Sequence, residues 1–372
     1  MNENLKIINY HIGGRAGSIG FPINKKFKHE IHSIIFEADI DCLNQIEERN
    51  INSEVKGIFV GADNKNIEFN INYCPYTSSV YLLNEKYENY FHTNKRNTDY
   101  LFKNVVKPMK RVNLKTRSLD SLVNDKEILP ADFISLDTQG SEYEILYNSQ
   151  NILKESILAI SCEVSFVELY KDAKMFSDID KLLIENDFFL VHLDTINIGC
   201  ERIPSNFRGK GIPLQGEALY LKDLSYFRNN NLLDQIKFRK LAFIPTSFGY
   251  TEYAYKLLKT LNQIKVQNCD YSNFLEMFYN KINQQINNLP KLWDQEFSFE
   301  DSLGRFSIRK KKSLYNIANL KSFIKKVFQY YFRKIKKYNS KSLSFSNFLK
   351  ENGFDIASTE NIKRINKDYK YD

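Results

Sequence analysis

The stretch ADFISLDTQGSEYEILY, residues 131–147, decides the fold. It begins with a short apolar run, ends that run on the carboxylate Asp137, turns through Gly140 and continues with apolar residues at helical spacing. A buried strand, a tight turn and a helix form half of a βαβ unit. Because open parallel sheets bind ligands outside the carboxyl ends of their strands, we expect Asp137, Gln139 and Glu142 to face a cleft. The alternative is that Asp137 and Ser141 only cap the helix.

The composition favours a globular protein with reduced thiols. Its 372 residues are enough for two domains. The five cysteines form no C-x-x-C pair, which argues against a zinc site or a disulfide framework and favours a cytoplasmic protein. The start, MNENLKIINY, has no basic segment followed by an apolar one, so we expect no signal peptide. No apolar run approaches the roughly 18 residues of a membrane span.

Charge is distributed unevenly along the chain. Residues 228–372 contain 27 Lys and Arg against 13 Asp and Glu, whereas residues 1–227 contain 26 against 32. This asymmetry predicts a domain boundary. We expect an α/β domain over residues 1–227 and a basic, mainly helical extension over residues 228–372.

The ends of the first three predicted strands carry residues suited to an adenosine. The first strand runs into a glycine-rich turn with Gly13 and Gly14, where the lack of a side chain lets the backbone approach a ligand. The second strand ends at Glu37, 24 positions after Gly13, and a carboxylate there can accept both ribose hydroxyls. The third strand, predicted over 56–62, is followed by Asp63.

Two kinds of cofactor contain the adenosine that this pattern predicts, nicotinamide dinucleotides and S-adenosylmethionine. A dinucleotide also needs its pyrophosphate on a helix N-terminus. No clear amphipathic helix follows the glycine turn for ten residues. The pattern therefore favours a cofactor without a pyrophosphate, and a nicotinamide-dependent oxidoreductase is the alternative.

The remaining elements follow from hydrophobic periodicity. Strands are predicted over 67–72, 111–118, 157–162, 188–193 and 217–222, and helices over 40–49, 119–123 and 178–185. Ser177 is the expected N-cap of the last of these helices. Residues 194–216 are expected to form a long loop, and residues 240–265 a helical hairpin.

Seven segments match one protein family in the same order, over about residues 5–222. They are HIGGRAG (11–17), FEAD (36–39), Ser78-Ser79, TRSLDSL (116–122), DFISLDTQGSEYEIL (132–146), CEVSFVELY (162–170) and FSDIDKLLIENDFFLVHL (176–193). By these segments the chain resembles the FkbM family of S-adenosylmethionine-dependent methyltransferases. The resemblance implies a Rossmann-like, seven-stranded, mostly parallel sheet with an antiparallel last strand. It also implies transfer of a methyl group to an oxygen, commonly of a sugar or polyketide.

The resemblance also implies roles for the cofactor-binding residues. Gly13 and Gly14 would line the methionine half of S-adenosylmethionine, Glu37 would hold its ribose, and Asp63 would lie near the adenine. The family usually has Asp where this chain has His11, which would lie near a positive charge of the cofactor. Neutral His can still accept a hydrogen bond. Because of His11, a non-catalytic binding protein with a methyltransferase fold is the second hypothesis.

Methyl transfer to a hydroxyl group depends on positioning and is helped by a base. The candidate bases at strand ends are Asp137, Glu163 and His192, and Asp137 ranks first because it ends the central strand. Glu142 and Tyr170 are candidate substrate contacts, although an aromatic residue before a helix is also ordinary packing. Asp137 and Glu163 could instead hold a divalent metal that acidifies the hydroxyl, but no third ligand accompanies them.

The basic extension contains no acidic residue from Ser302 to Lys350. Within it, apolar and basic residues recur at helical spacing over 314–337. Such a helix can lie on an anionic membrane or dock an acidic glycan, and a bundle helix with solvated lysines is the alternative. No stacking or groove-reading motif accompanies the charge, which argues against nucleic acid. The sequence therefore predicts a cytoplasmic O-methyltransferase acting on a sugar, a glycan or a related cell-envelope intermediate.

Overall fold

The computed structural model describes residues 6–16, 20–21, 31–49, 53–95, 98–201, 211–229 and 235–263. Its strands are β1 (Ile7–Ile12), β2 (Ile31–Phe36), β3 (Ser53–Lys56), β4 (Phe59–Val60), β5 (Asn66–Asn72), β6 (His92–Lys95), β7 (Thr98–Leu101), β8 (Pro108–Arg117), β9 (Phe133–Leu136), β10 (Ala159–Ser165), β11 (Phe188–Ile198) and β12 (Ile212–Lys222). Its α-helices are α1 (Leu43–Arg49), α2 (Phe102–Val105), α3 (Leu119–Asn124), α4 (Glu142–Tyr147), α5 (Gln150–Glu155), α6 (Phe176–Glu185), α7 (Leu224–Asn229), α8 (Gln235–Ser247) and α9 (Thr251–Gln263).

Seven strands form one large sheet in the order β11-β12-β10-β9-β1-β2-β3. Strand β12 runs antiparallel to both of its neighbours, and the other pairings are parallel. The predicted seven-stranded, mostly parallel sheet with an antiparallel last strand is therefore confirmed. The strand order reverses between β1 and β9, and open α/β sheets bind ligands at such a point.

Helices cover both faces of the large sheet, because its strands present apolar side chains on each side. On one face, Ile134 belongs to a core that includes Leu183 of α6. On the other face, Phe133 packs in a core with Ile244 of α8 and Leu258 of α9. Consecutive residues of β9 thus face opposite cores, as the two-residue period of a strand requires.

The predicted helical hairpin is present as α8 and α9, joined at Gly249, whose φ is +86°. Lys240 of α8 forms an ion pair of 2.7 Å with Asp132, the residue before β9. Helices α8 and α9, which follow residue 227, therefore pack on one face of the large sheet. The amphipathic helix predicted over 314–337 lies outside the described residues. None of the helices in the described ranges has the length and apolar character needed to cross a membrane.

Residues 59–117 add two small sheets. Strands β5 and β8 pair antiparallel, β4 joins β8 in parallel, and β6 and β7 form a hairpin. The single strand predicted over 56–62 is wrong. The chain leaves the large sheet after Lys56, and Phe59 and Val60 pair with Thr116 and Arg117 instead. An apolar run shows that a segment is buried but does not show which strand it pairs with.

Two further boundaries differ from the prediction. The loop expected over 194–216 is shorter, because β11 and β12 continue as an antiparallel pair to Ile198 and Ile212. Helix α6 begins earlier than Ser177 suggested, with Met175 as its N-cap. The Met175 N–H donates to the Asp178 carboxylate at 3.0 Å, and this contact fixes the start of the helix.

Candidate active site

A cavity lies where the strand order reverses, at the carboxyl ends of β1, β2 and β9. Its walls include Gly13, Glu37 and Asp137, so the structure brings together three residues that were predicted at separate strand ends. Other parts of the wall are apolar. These side chains include Ile12, Phe36, Ile58, Phe59, Val60, Phe69 and Ile145. A polar edge beside an apolar wall suits a ligand with both a flat apolar part and hydroxyl groups.

The turn after β1 needs glycine because three strand ends meet there. Gly13 has a φ of +95°, and a Cβ atom on it would lie 1.9 Å from the Asp137 carbonyl oxygen. The Gly13 N–H donates to the Phe36 carbonyl at 3.1 Å, which fixes the turn against the end of β2. A Cβ atom on Gly14 would lie 2.2 Å from the Ile35 side chain. Gly13 therefore lines the cavity, whereas Gly14 permits close packing beside it.

Glu37 is buried at the end of β2 together with an ion pair. Its Oε1 accepts the Asp39 N–H at 2.9 Å. Burial raises the pKa of Glu37, and the nearby Arg15 guanidinium opposes that rise. Arg15 lines the cavity and is buried in an ion pair with Asp39. Sequence reasoning missed Arg15 and Asp39, although a basic residue inside the glycine turn and a carboxylate two positions after Glu37 were available as signals.

Asp137 and Glu163 are neighbours across two parallel strands. The register places Leu136 beside Cys162, so the next residue on each strand carries a carboxyl group. The Gln139 amide nitrogen, Nε2, donates to Asp137 Oδ1 at 2.9 Å and to Glu163 Oε2 at 2.7 Å. The two carboxyl groups are also close enough for the charge of Asp137 to raise the pKa of Glu163. Asp137 and Gln139 also line the cavity, so this cluster forms part of its wall.

The surroundings of Asp137 and Glu163 raise the pKa of both carboxyl groups. Burial raises the pKa of Asp137, and the hydrogen bond from Gln139 opposes that rise. Burial also raises the pKa of Glu163 well above its ordinary value, and the negative charges of Asp137, Glu142 and Glu217 raise it further. A carboxyl group with a raised pKa can act as a base or an acid closer to neutral pH.

Gln139 is held in place from several directions. Its φ is +56°, in the left-handed region that residues with a side chain seldom adopt. The Tyr170 hydroxyl donates to Gln139 Oε1 at 3.0 Å, and the Ser79 hydroxyl donates to its carbonyl oxygen at 2.7 Å. Tyr170, predicted as a substrate contact, is therefore buried against Gln139. Sequence reasoning expected Gln139 near the cleft but assigned it no role.

Two other predicted binding carboxylates contact the protein itself. Glu142 is buried and accepts the N–H groups of Thr138 and Gly140 at 2.7 and 2.9 Å. Burial raises the pKa of Glu142 to about 7. Asp63 accepts the Ser118 N–H at 2.8 Å and the Ser121 hydroxyl at 2.7 Å, and such bonds lower its pKa. Neither carboxylate belongs to the cavity wall described above.

Neither of the two predicted histidines belongs to the cavity wall described above. His11 is buried in β1 beside Ser135, on the opposite side of the strand from Ile12, which lines the cavity. Burial lowers the pKa of His11 to about 4, so it is neutral at pH 7. His192 lies on the edge strand β11, with β12 and β10 between it and β9, and its Nε2 is 3.1 Å from Asp194 Oδ2. The structure does not bring His192 to the cavity.

A divalent metal was considered for Asp137 and Glu163. Within the described ranges, no three His, Cys, Asp or Glu side chains come together as a metal-binding group.

The large sheet, with a cavity at its reversal of strand order, is consistent with a methyltransferase fold. The comparison with known families agrees with the resemblance predicted from the sequence. Residues 11–190 match the family model described as the methyltransferase FkbM domain. None of the curated proteins compared with the chain matches it.

Proposed function

We propose that this chain is an S-adenosylmethionine-dependent O-methyltransferase that methylates a hydroxyl group of a sugar, a glycan or a related cell-envelope intermediate. One observation carries the proposal. Gly13, Glu37 and Asp137 line a single cavity at the reversal of strand order, in a chain with a methyltransferase FkbM domain. A cofactor-binding edge and a candidate base thus share one space.

The wall residues fit S-adenosylmethionine by their chemistry. Glu37 offers a buried carboxylate to a ribose diol, and the Arg15 charge beside it favours the ionised form that accepts hydrogen bonds. Gly13 leaves the main chain accessible, and aromatic side chains such as Phe36 and Phe59 suit an adenine ring. When bound, this cofactor supplies a methyl group activated by a sulfonium charge.

Asp137 is the candidate base for the acceptor. It opens onto the cavity at the end of the central strand β9. An alcohol that attacks a methyl group has to lose its proton, and a positioned carboxylate can take it. Its raised pKa makes Asp137 a stronger base than an ordinary aspartate. The Gln139 amide donates to both carboxyl groups and so connects Glu163 to Asp137.

Isothermal titration calorimetry with the full chain tests the cofactor. We expect S-adenosylmethionine to bind the wild type, and Glu37→Ala to weaken binding at least about tenfold, since a hydrogen bond to a charged group contributes roughly 1.5–3 kcal/mol. Glu54→Ala, which removes a half-exposed carboxylate on β3, is the control and should bind like the wild type. No binding by the wild type would overturn the proposal, and unchanged affinity in Glu37→Ala would reject the ribose role.

A methyl-transfer assay then tests the acceptor class. Labelled S-adenosylmethionine and cell-envelope saccharides should give a labelled product, and saccharides from a deletion strain should lack one methyl group by mass spectrometry. Cofactor binding without transfer to any saccharide fraction would favour the non-catalytic alternative. Displacement of the cofactor by a nicotinamide dinucleotide would favour the oxidoreductase.

We further propose that the protein works in the cytoplasm and contacts the inner face of the membrane through residues 314–337. The support is the basic, amphipathic sequence of that segment, in which each basic residue near an anionic surface contributes about 1 kcal/mol. The full chain should co-sediment with phosphatidylserine-containing vesicles at low salt and be released at high salt. Equal sedimentation with neutral vesicles, or none with either kind, would contradict this.

A further inference from the structure

One amide group connects both carboxyl groups at the end of the central strands. The Gln139 Nε2 atom carries two hydrogens, and it contacts Asp137 Oδ1 at 2.9 Å and Glu163 Oε2 at 2.7 Å. Each amide hydrogen therefore has one carboxyl group as its partner, and the amide joins Asp137 to Glu163. Two neighbouring carboxylates repel each other when both are ionised. A proton between the carboxyl groups removes that repulsion and completes their hydrogen bonding.

We propose that Gln139 is a positioning residue that holds Asp137 and Glu163 as a carboxyl pair sharing one proton, and that this pair takes up the proton of the acceptor hydroxyl. The proposal rests on the proposed function, because it assigns the fate of the proton in methyl transfer. It extends that function in one respect. The base is formed by two side chains, Asp137 and Glu163, and Gln139 fixes their geometry.

The groups that face the pair favour retention of the shared proton. Glu217 on β12 lies opposite Glu163 and accepts the Ser161 hydroxyl at 2.7 Å. Glu142 on α4 adds a second neighbouring carboxyl group, and the Tyr170 hydroxyl lies behind Gln139. The Cys162 thiol, next to Glu163 in the chain, is kept neutral by burial, which raises its pKa.

Arg15, a positively charged side chain on the same cavity wall, is paired with a carboxylate outside the Asp137–Glu163 pair. Arg15 and Glu37 line the cavity with Asp137, and Arg15 is ion-paired with Asp39. Around the pair, the described side chains are thus acidic or neutral, and Arg15 serves the carboxylates at the end of β2. An electrostatic environment of this kind makes two full negative charges on the pair costly.

The proton balance of the reaction fits one shared proton. A bond forms between the acceptor oxygen and the methyl carbon, and the bond from that carbon to sulfur breaks, with its electron pair left on a neutral thioether. The hydroxyl proton moves to Asp137, so the pair goes from one proton to two. It returns to one proton when the extra proton leaves to water.

This balance also selects the acceptor class. A pair with one proton carries one negative charge, and it can receive one more proton. It therefore suits a neutral hydroxyl compound, whose proton must be removed. It disfavours an acceptor with a carboxylate or phosphate next to the reacting hydroxyl, because that charge would be repelled.

Infrared difference spectroscopy on the full chain, without acceptor, detects the carbonyl stretch of protonated carboxyl groups. The wild type should show such a band at neutral pH, and Glu163→Gln should lose it. Glu217→Gln removes a neighbouring carboxyl group outside the pair and should retain the band. Glu142→Gln identifies the separate signal of Glu142, whose pKa is about 7. A band at neutral pH that Glu163→Gln leaves unchanged would overturn the shared proton.

Gln139→Met tests the positioning role, because methionine has a similar length but no amide hydrogens. The pH midpoint of the pair's band should rise by about one unit, since a lost hydrogen bond to a carboxylate is worth roughly 1.5 kcal/mol. Tyr170→Phe removes only the contact behind the amide and should give a smaller rise. A purely structural Gln139 would lower the melting temperature and leave the midpoint in place, and that result would overturn its role.

Cofactor binding measured on the same wild-type sample separates this proposal from the proposed function. A missing band together with intact S-adenosylmethionine binding would reject the pair and leave the methyltransferase proposal standing. A band of the expected behaviour without cofactor binding would confirm the pair but remove its assigned part in methyl transfer.

Discussion

His11 gives the protein a specific sensitivity to acid. It is 4% exposed in β1, and burial lowers its pKa from 6.5 to about 4. Between these values the unfolded chain binds a proton that the folded chain does not bind. The stability linked to His11 is therefore complete above about pH 6.5 and is lost as the pH falls towards 4.

The free energy of unfolding should accordingly fall by about 2 kcal/mol from pH 7 to pH 5 on account of His11 alone. Urea denaturation at both pH values measures the fall, and His11→Asn should show a fall smaller by that amount. Taking the difference between variants cancels the contributions of the carboxylates. The same pH dependence in His11→Asn and wild type would show that another group is responsible.

Gln139 shows what a sequence cannot reveal about a residue. Its contacts come from Ser79, 60 positions earlier, and from Tyr170, 31 positions later. Its role depends on a left-handed backbone conformation, which glycine is expected to provide and glutamine is not. Glu37 and Asp137 were predictable because each directly follows an apolar strand, and the carboxyl ends of parallel strands meet at one edge.

At the scale of elements, a buried ion pair attaches α8 to the large sheet. Lys240 and Asp132 have side chains only 11% and 8% exposed, with 2.7 Å between ammonium and carboxylate. Asp132 also accepts the Ile8 N–H at 2.9 Å, so the pair connects α8 to the starts of β1 and β9. Burial alone raises the pKa of Asp132, and the Lys240 charge opposes that rise.

Lys240→Met should lower the free energy of unfolding by about 3 kcal/mol, because it leaves a buried carboxylate without its ammonium partner. Asp132→Asn should cost a similar amount. The double variant should cost clearly less than the sum of the two, as measured by urea denaturation at neutral pH. Additive losses would mean that the two charges do not stabilise each other.

The elements also show where the sequence pattern stops being informative. The strand–turn–helix of residues 131–147 was predictable because its hydrophobic period changes from a continuous run to helical spacing. The division of the 56–62 run into β3 and β4 was not predictable, because it depends on pairing with Thr116 far along the chain. The prediction that His192 lies near the site failed for a similar reason. The sequence of a strand does not show its position in the sheet.

At the scale of the whole molecule, helices α8 and α9 cover one face of the large sheet. Leu241, Ile244, Leu257 and Leu258 pack on the face that contains Phe133. A chain ending at residue 227 would expose this face to water, whereas one ending at residue 263 would keep it covered. The charge asymmetry predicted a boundary near 227, but charge reports the surface of a segment and not what its apolar face packs against.

Truncation tests this dependence directly. The 1–263 chain should be soluble and unfold cooperatively by circular dichroism, and the 1–227 chain should aggregate or melt without a transition, because about 25 cal/mol is lost per Å² of apolar surface exposed. Size-exclusion chromatography separates the two outcomes. A cooperative, monomeric 1–227 chain would show that α8 and α9 are dispensable for the sheet.

The crowded bend at Gly13 limits how ligand binding can be studied by substitution. Any larger residue there would wedge two central main chains apart, since even one added carbon would overlap the Asp137 carbonyl oxygen. A variant at Gly13 would therefore disturb the carboxyl ends of β1, β2 and β9 as well as ligand binding. Informative changes have to be made at side chains that border the space without holding it open, and Glu37 is the first of these.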